Sequence, residues 1–395
     1  MKDINKLNFS ILAKVFLKND NDVDELLCYI VKNFKENGEE IINQFIDDNV
    51  IDLEQYGKKV FYVSCVNSYI GLIRFMLNDN WPSSQAEYDY AILIASANDR
   101  VEVVKLLLAD KRINPDANNN YAIGVASANG YEEVVKLLSE DGRFDPSSDD
   151  NYAIKRASEY GRVEVVKLLL EDCRADPSSD DNYAIRLASA NGREEVVKLL
   201  LEDGRVDPSS YDNYAIRLAS ANGREEVVKL LLADKRVDPS ADNNHAIRAA
   251  SKNGRVEVVK LLLADKRVDP SADNNYAIRM ASENGYEEVV KLLLADKRVD
   301  PSADNNYAIR LASENGRVEV VKLLLADKRV DPSADNNYAI RAASKNGRVE
   351  VVKLLLADKR VDPSADNNYA IRMALKNNQK KVIELLFKYF KLNSK

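Results

Sequence analysis

Catalysis needs a nucleophile, an acid–base group or a metal-binding cluster at a fixed spacing, and this chain offers few candidates. His245 is the only histidine in 395 residues, with no cysteine or second histidine nearby to make a metal pair or a nucleophile–base couple. Cys28, Cys65 and Cys173 are odd in number and share no Cys-x-x-Cys spacing. Neither a disulfide framework nor a zinc site follows, which suits a reducing compartment. Adjacent carboxylates recur at Glu194-Glu195, Glu225-Glu226 and Glu287-Glu288, but they open apolar helical segments, where negative charge complements the helix dipole. The sequence has no Gly-rich phosphate loop and no nucleophile elbow. No catalytic residue, cofactor or metal is therefore expected, and the chain is not expected to be an enzyme.

What remains is recognition chemistry, which Tyr and Arg anchors dominate. Such residues stand out here by interrupting a pattern. Tyr-Ala-Ile recurs at Tyr90, Tyr121, Tyr152, Tyr183, Tyr214, Tyr276, Tyr307, Tyr338 and Tyr369, and His245-Ala-Ile fills the one gap, every step being 31 residues. Arg156 takes a position that is Ile, Val, Leu, Met or Ala in the other nine copies. That slot is expected to be core, so Arg156 must snorkel outward or pair internally. Tyr160 replaces a turn Asn, Tyr211 a loop Asp or Asn, and Tyr131 and Tyr286 an Arg. These exceptions concentrate in 121–213. A surface that is the same in every copy cannot discriminate between partners unless the partner is itself repetitive.

A fixed period in this range overrides length as a guide to organisation and signals a stacked array. In the copy Asp304–Ala334, Ile309, Leu311, Ala312 and Ser313 fall on a short first helix, which Asn305 or Asn306 is expected to cap. Asn315-Gly316 stops it. A second helix follows from Val318, with Val320, Val321, Leu324 and Leu325 on one stripe. Asp331-Pro332 blocks its continuation. No copy can bury its own stripe, so neighbours must stack.

The segment Ala-Ser-x-Asn-Gly-Arg-Val-Glu-Val-Val-Lys-Leu-Leu-Leu resembles the ankyrin repeat, and the resemblance covers ten copies. It departs where the family's Thr-Pro-Leu-His becomes Tyr307-Ala308-Ile309-Arg310 and where the unit falls two residues short, so loops or very short β pairs are expected in place of hairpin fingers. The 31-residue type is similar to arrays of protozoa and large DNA viruses. The resemblance implies an all-α ankyrin-type solenoid of about twelve stacked helix-turn-helix repeats. It further implies a non-enzymatic scaffold that binds a protein partner on its concave face. Transferred to this chain, that face includes Glu159, Tyr160 and Tyr211. With the irregular positions beside them, the candidate partner-binding residues are Tyr131, Arg156, Glu159, Tyr160, Arg186 and Tyr211.

With 45% hydrophobic and 31% charged residues, a soluble folded chain is expected. The net charge of −7 argues against nucleic acid. Arg217, Arg248, Arg279, Arg310, Arg341 and Arg372 form a ladder that could track phosphates, but Asp238 and Asp242 and their equivalents are placed to neutralise it. Phe9–Leu17 is an apolar stretch broken by Lys14, an amphipathic helix and not a signal peptide. No apolar run is long enough to span a membrane. A monomer in the cytoplasm is expected, a host's cytoplasm for a viral chain. Residues 1–27 should form capping helices, 28–89 two degenerate repeats, 90–368 nine regular repeats and 369–395 a C-terminal cap sealed by Leu375, Val382, Ile383, Leu386 and Phe387. Val23–Ile30 faintly resembles an F-box opening without its Pro. That leaves a ubiquitin-ligase substrate adaptor, or an inert spacer, as alternative functions.

Overall fold

A computed structural model describes residues 22–33, 37–79, 81, 84–112 and 121–393. The amphipathic helix expected over Phe9–Leu17, and most of the N-terminal cap, lie outside them. The described residues form 24 α-helices and no strand. Among the described residues, loops and not short β pairs therefore join successive helix pairs. The chain divides into two compact units, Met1–Ala184 and Ile185–Lys395.

The second unit shows the repeat at its most regular. In one copy the stretch Ala303–Asn315 is followed by the helix Val318–Ala326. Ala308, Ile309, Ala312 and Ser313 are buried from the first helix, and Val320, Val321 and Leu324 from the second. Burial of one Ile, two Val and one Leu is worth roughly 6–12 kcal/mol gross per copy, before chain entropy is subtracted. Leu325, expected in that stripe, is only half-buried. The small Ala312 lets the first helices of neighbouring copies pack closely against one another. Gly316, at φ 75°, ends the first helix. Its N–H donates to the Ser313 carbonyl at 3.2 Å, and the Arg317 N–H to that of Ala312 at 2.8 Å. This is the paired closure that a left-handed residue permits.

The start of the first helix differs from expectation. Asp304, Asn305 and Asn306 all lie in the left-handed region, at φ 53°, 57° and 61°. The turn is closed by the Asn306 N–H donating to the Ser302 carbonyl at 2.7 Å. Asn and Asp tolerate this conformation better than other side-chain-bearing residues. Among the described residues eight such turns recur, and Tyr211 is the only residue in them that is neither Asp nor Asn. Neither Asn305 nor Asn306 caps the helix. The Asn306 Oδ1 instead accepts the backbone N–H of Asp331, in the loop that leads to the following copy, at 2.7 Å. The left-handed backbone turns that amide away from its own helix and towards its neighbour.

In the first unit, helix pairs Leu53–Asn67 with Ile70–Asn78 and Gln85–Ala97 with Val101–Leu108 follow the helices Asp22–Asn33 and Gly38–Asp47. Leu72, Ile73 and Met76 are buried as Val103, Val104 and Leu107 are one step later. Val23, Leu26, Leu27 and Ile30, the apolar residues of the F-box-like stretch, are buried within the chain's own packing. At the other end, Val382 and Leu386 are buried and Ile383 is half-buried, whereas Leu375 and Phe387 are exposed. The expected seal is therefore narrower than five residues. Leu375 occupies the position of the buried serines, on a face that a following copy would cover.

Candidate partner-binding face

Tyr307, Arg310, Leu311 and Glu314 fall at i, i+3, i+4 and i+7 and are all half-buried, so they share the outward face of the first helix. The Arg310 Nη2 lies 2.8 Å from Asp335 Oδ2 in the following copy. Its guanidinium also sits 5.9 Å from the Tyr307 ring and 4.7 Å from the Tyr338 ring. The same ion pair joins Arg217 to Asp242 at 2.6 Å, Arg248 to Asp273 at 3.0 Å and Arg279 to Asp304 at 2.8 Å. Arg341 pairs with Asp366 in the same way at 2.8 Å, so these five rungs are each neutralised by the first residue of the next left-handed turn, whereas Arg372 donates to the Asp366 carbonyl at 3.2 Å. Asp238 acts elsewhere, in the loop before that turn, where its carboxylate accepts the Ser240 N–H at 2.9 Å and hydroxyl at 2.7 Å.

The irregular residues depart from this ladder in specific ways. Tyr211 stands where the pairing Asp belongs, at φ 55° and ψ 50°, and is 62% exposed. The Arg186 guanidinium lies 5.1 Å from its ring and 5.7 Å from that of Tyr214, and the two tyrosines meet edge to face at 5.4 Å. Tyr211 thus presents a ring to Arg186 where the later turns present a carboxylate to their arginine. Arg156 pairs with Glu159 one turn on and lies 5.0 Å over the Tyr152 ring. The hydrogen bond with Tyr152, and then that with Glu159, raises its pKa above the usual guanidinium range. Its slot is half-buried rather than core in Leu187, Leu218, Met280 and Leu311, because it lies on the outward face of the helix. Tyr152 stacks on Tyr121 at 5.9 Å, in space left by Gly124, where an added Cβ would collide with the Tyr152 ring.

Tyr160 is exposed at the end of its helix. Tyr131 is half-buried in a position where other copies place an arginine. Those arginines reach back to the preceding copy, as Arg162 Nε does to the Ala128 carbonyl at 2.8 Å. The structure thus brings Arg156 to Glu159 and Arg186 to Tyr211. His245, in a Tyr position, is half-buried. Burial, and next Arg217, hold its pKa below the usual imidazole value.

Three features escaped the sequence. Arg329 is an inter-repeat staple: its Nη1 donates to the Val299 carbonyl at 2.8 Å and its Nη2 to that of Leu294 at 3.0 Å, while Asp327 holds the same Nη2 at 2.6 Å. The signal was the Asp-x-Arg that follows nine consecutive second helices, from Asp110 and Arg112 to Asp358 and Arg360. Val330 plugs the core from the loop, as Phe144 does earlier. Ser313 and its equivalents are fully buried with no partner for the hydroxyl. Among the described residues, no cluster of His, Cys, Asp or Glu could hold a metal ion, and no helix is long and apolar enough to cross a membrane.

Paired helices of constant step, stopped by a left-handed glycine and stacked copy on copy, define an ankyrin-type repeat array. A family profile described as ankyrin repeats (3 copies) matches residues 91–181, 154–243, 216–307, 246–336 and 309–395. The chain belongs to the ankyrin-repeat family, whose members are generally protein–protein interaction modules and typically non-enzymatic scaffolds. No curated protein matches the sequence.

Proposed function

We propose that this chain is a non-enzymatic scaffold that takes a protein partner on the outward face of its first helices, concave in the family, with specificity carried by the irregular positions. The observation that carries the reading is Tyr211: a bulky residue in the left-handed region, 62% exposed, where the other turns have Asp. A residue held in a sparsely populated conformation points to function. Its ring and the Arg186 plane form the rigid, half-solvated kind of anchor that dominates interface energies. Arg156 and Glu159, with Tyr160 and Tyr131, add a second irregular cluster. The paired ladder elsewhere leaves little free positive charge for a nucleic-acid backbone. The free cysteines among the described residues suit a cytoplasmic, reducing location.

The test is affinity purification with mass spectrometry, then titration of the recovered partner against variants. Tyr160→Asn together with Tyr211→Asp should lower affinity about thirtyfold, as expected for loss of about 2 kcal/mol of anchor contacts. Glu314→Ala with Asn315→Ala in a uniform copy is the control. Equal affinities for the two double variants would show that the irregular positions do not bind.

A further inference from the structure

The first helices of the N-terminal unit differ from those of the regular copies at the positions that carry the Arg ladder. At these outward positions, Leu53–Asn67 presents Tyr62, Val63 and Val66, and Gln85–Ala97 presents Leu93, Ile94 and Ala97. Gly124 and Val125 continue the series on Tyr121–Asn129. None of these is charged, whereas every copy from Lys155 onward has a charged residue there. The stripe runs into a groove of about 290 Å³ against the helix Asp22–Asn33, with Leu27, Val31, Tyr62, Val66, Tyr90 and Ile94 among its walls. Tyr62 and Tyr90 meet edge to face at 4.6 Å within it. Burial, and next Glu87, push the Tyr62 hydroxyl up to about 12, so this wall stays neutral. At the rim, the exposed Lys58 ammonium sits 5.8 Å over the Tyr62 ring, with no carboxylate partner among the described residues.

We propose that this stripe is a docking site for an amphipathic α-helix of a partner protein, with large aliphatic side chains on one face and an acidic residue beside them. It rests on the reading of the chain as a protein-binding scaffold and adds a second surface to the irregular positions. Three arguments select this occupant. The described residues offer no strand edge, so strand addition has nothing to extend. Packed helices stand about 8–10 Å apart, and residues seven apart on a partner helix are separated by about 10.5 Å, so one side chain every two turns meets each successive copy. The groove is smaller than most small-molecule sites, which suits one or two anchoring side chains, and Lys58 complements a carboxylate at the edge of an apolar face.

The probe is a fluorescent peptide of about 20 residues with leucines on one helical face and glutamates flanking them, titrated against the full chain by anisotropy. A lysine-flanked version and a scrambled version of equal composition accompany it. The glutamate-flanked peptide should bind best and become helical on binding. Ile94→Glu should weaken it at least tenfold, and Leu93→Glu gives a second route should the first variant misfold by circular dichroism. Lys58→Glu should reverse the preference between the two flanked peptides. Tyr211→Asp should leave peptide binding unchanged, so that failure here is distinct from failure of the irregular-residue reading. Equal binding of the scrambled peptide, or indifference to both stripe variants, would overturn the proposal. Binding only after removal of residues 2–21 would assign the stripe to the chain's own N-terminus. A dimer dissolved by Ile94→Glu would assign it to a second copy. Either outcome also overturns the proposal.

Discussion

Replacing Tyr211 should stabilise the folded chain even as it removes binding. A side chain in the left-handed region costs about 1–2 kcal/mol for an ordinary L-residue and less for Asp or Asn. Against relief of that strain stand the edge-to-face contact with Tyr214 and the stacked Arg186. At so exposed a site these are worth about 0.5 kcal/mol each. Tyr211→Asn therefore nets roughly zero to 1 kcal/mol of stabilisation by the same magnitudes. Tyr211→Asp also restores the carboxylate that pairs with the ladder arginine elsewhere, as Asp242 does with Arg217 at 2.6 Å. That adds about 0.2–1 kcal/mol, screened by salt. The expected order is Asp, then Asn, then Tyr, with the gap between Asp and Asn closing in about 1 M salt. Urea unfolding followed by circular dichroism, analysed as a nearest-neighbour array, measures it. A Tyr211→Asp chain less stable than the parent would refute the strain argument, because no other term in the comparison favours Tyr by so much.

Further outcomes follow from the same contacts. Ser313→Ala should be neutral or stabilise by up to about 1 kcal/mol, since the hydroxyl is buried with no partner; a loss above that in the urea midpoint would reveal a hidden bond. Arg329→Lys should cost about 2 kcal/mol, because an ammonium cannot hold Asp327 and two carbonyls of the preceding copy at once. His245 is flanked by Arg217, Arg248 and Asp242, and its folded pKa lies below the unfolded 6.5. Its contribution is therefore present above pH 6.5 and lost as pH falls through the folded value, and a pH series of thermal midpoints should show that loss in the parent but not in His245→Tyr. Deleting 245–306, two whole copies, should leave a folded but less stable chain; loss of the helical circular dichroism signal would contradict nearest-neighbour stacking.

What was legible in the sequence was what repeats with the period of a helix. Val320, Val321 and Leu324 announce themselves by spacing, and Gly316 by the conformation only glycine adopts freely. What was illegible depends on partners distant in the chain. Asn306 has the chemistry of a helix cap, yet its backbone is left-handed and its amide serves Asp331. Nothing local distinguishes those two uses. Arg329 binds backbone carbonyls, which have no side-chain signature. Arg156 appeared misplaced because its slot is apolar elsewhere, but the slot lies on the outward face of the helix and, Ala342 apart, is no more than half-buried. At the candidate site, the exceptional letters were visible at once. That Arg186 and Tyr211 form one anchor was not, since 25 residues separate them.

The staples have a direction. Arg329 donates to carbonyls 30 and 35 residues behind it, Arg317 to one 34 behind, and Asn346 to one 32 behind. In each case the acceptor belongs to chain already made when the donor leaves a ribosome. A nascent copy thus meets a finished row of acceptors and leaves a fresh row for its successor, so assembly can proceed in the order of synthesis. The C-terminal copy breaks the succession: Gln379 stands where an arginine would reach back, donating to the Lys345 carbonyl at 3.4 Å, and no Asp-x-Arg loop follows it. The array can therefore lengthen internally by whole steps of 31 residues without disturbing either end. An insertion of any other length would put out of register the guanidinium whose carbonyls lie on the far side of it, while pairs beyond it would keep their spacing.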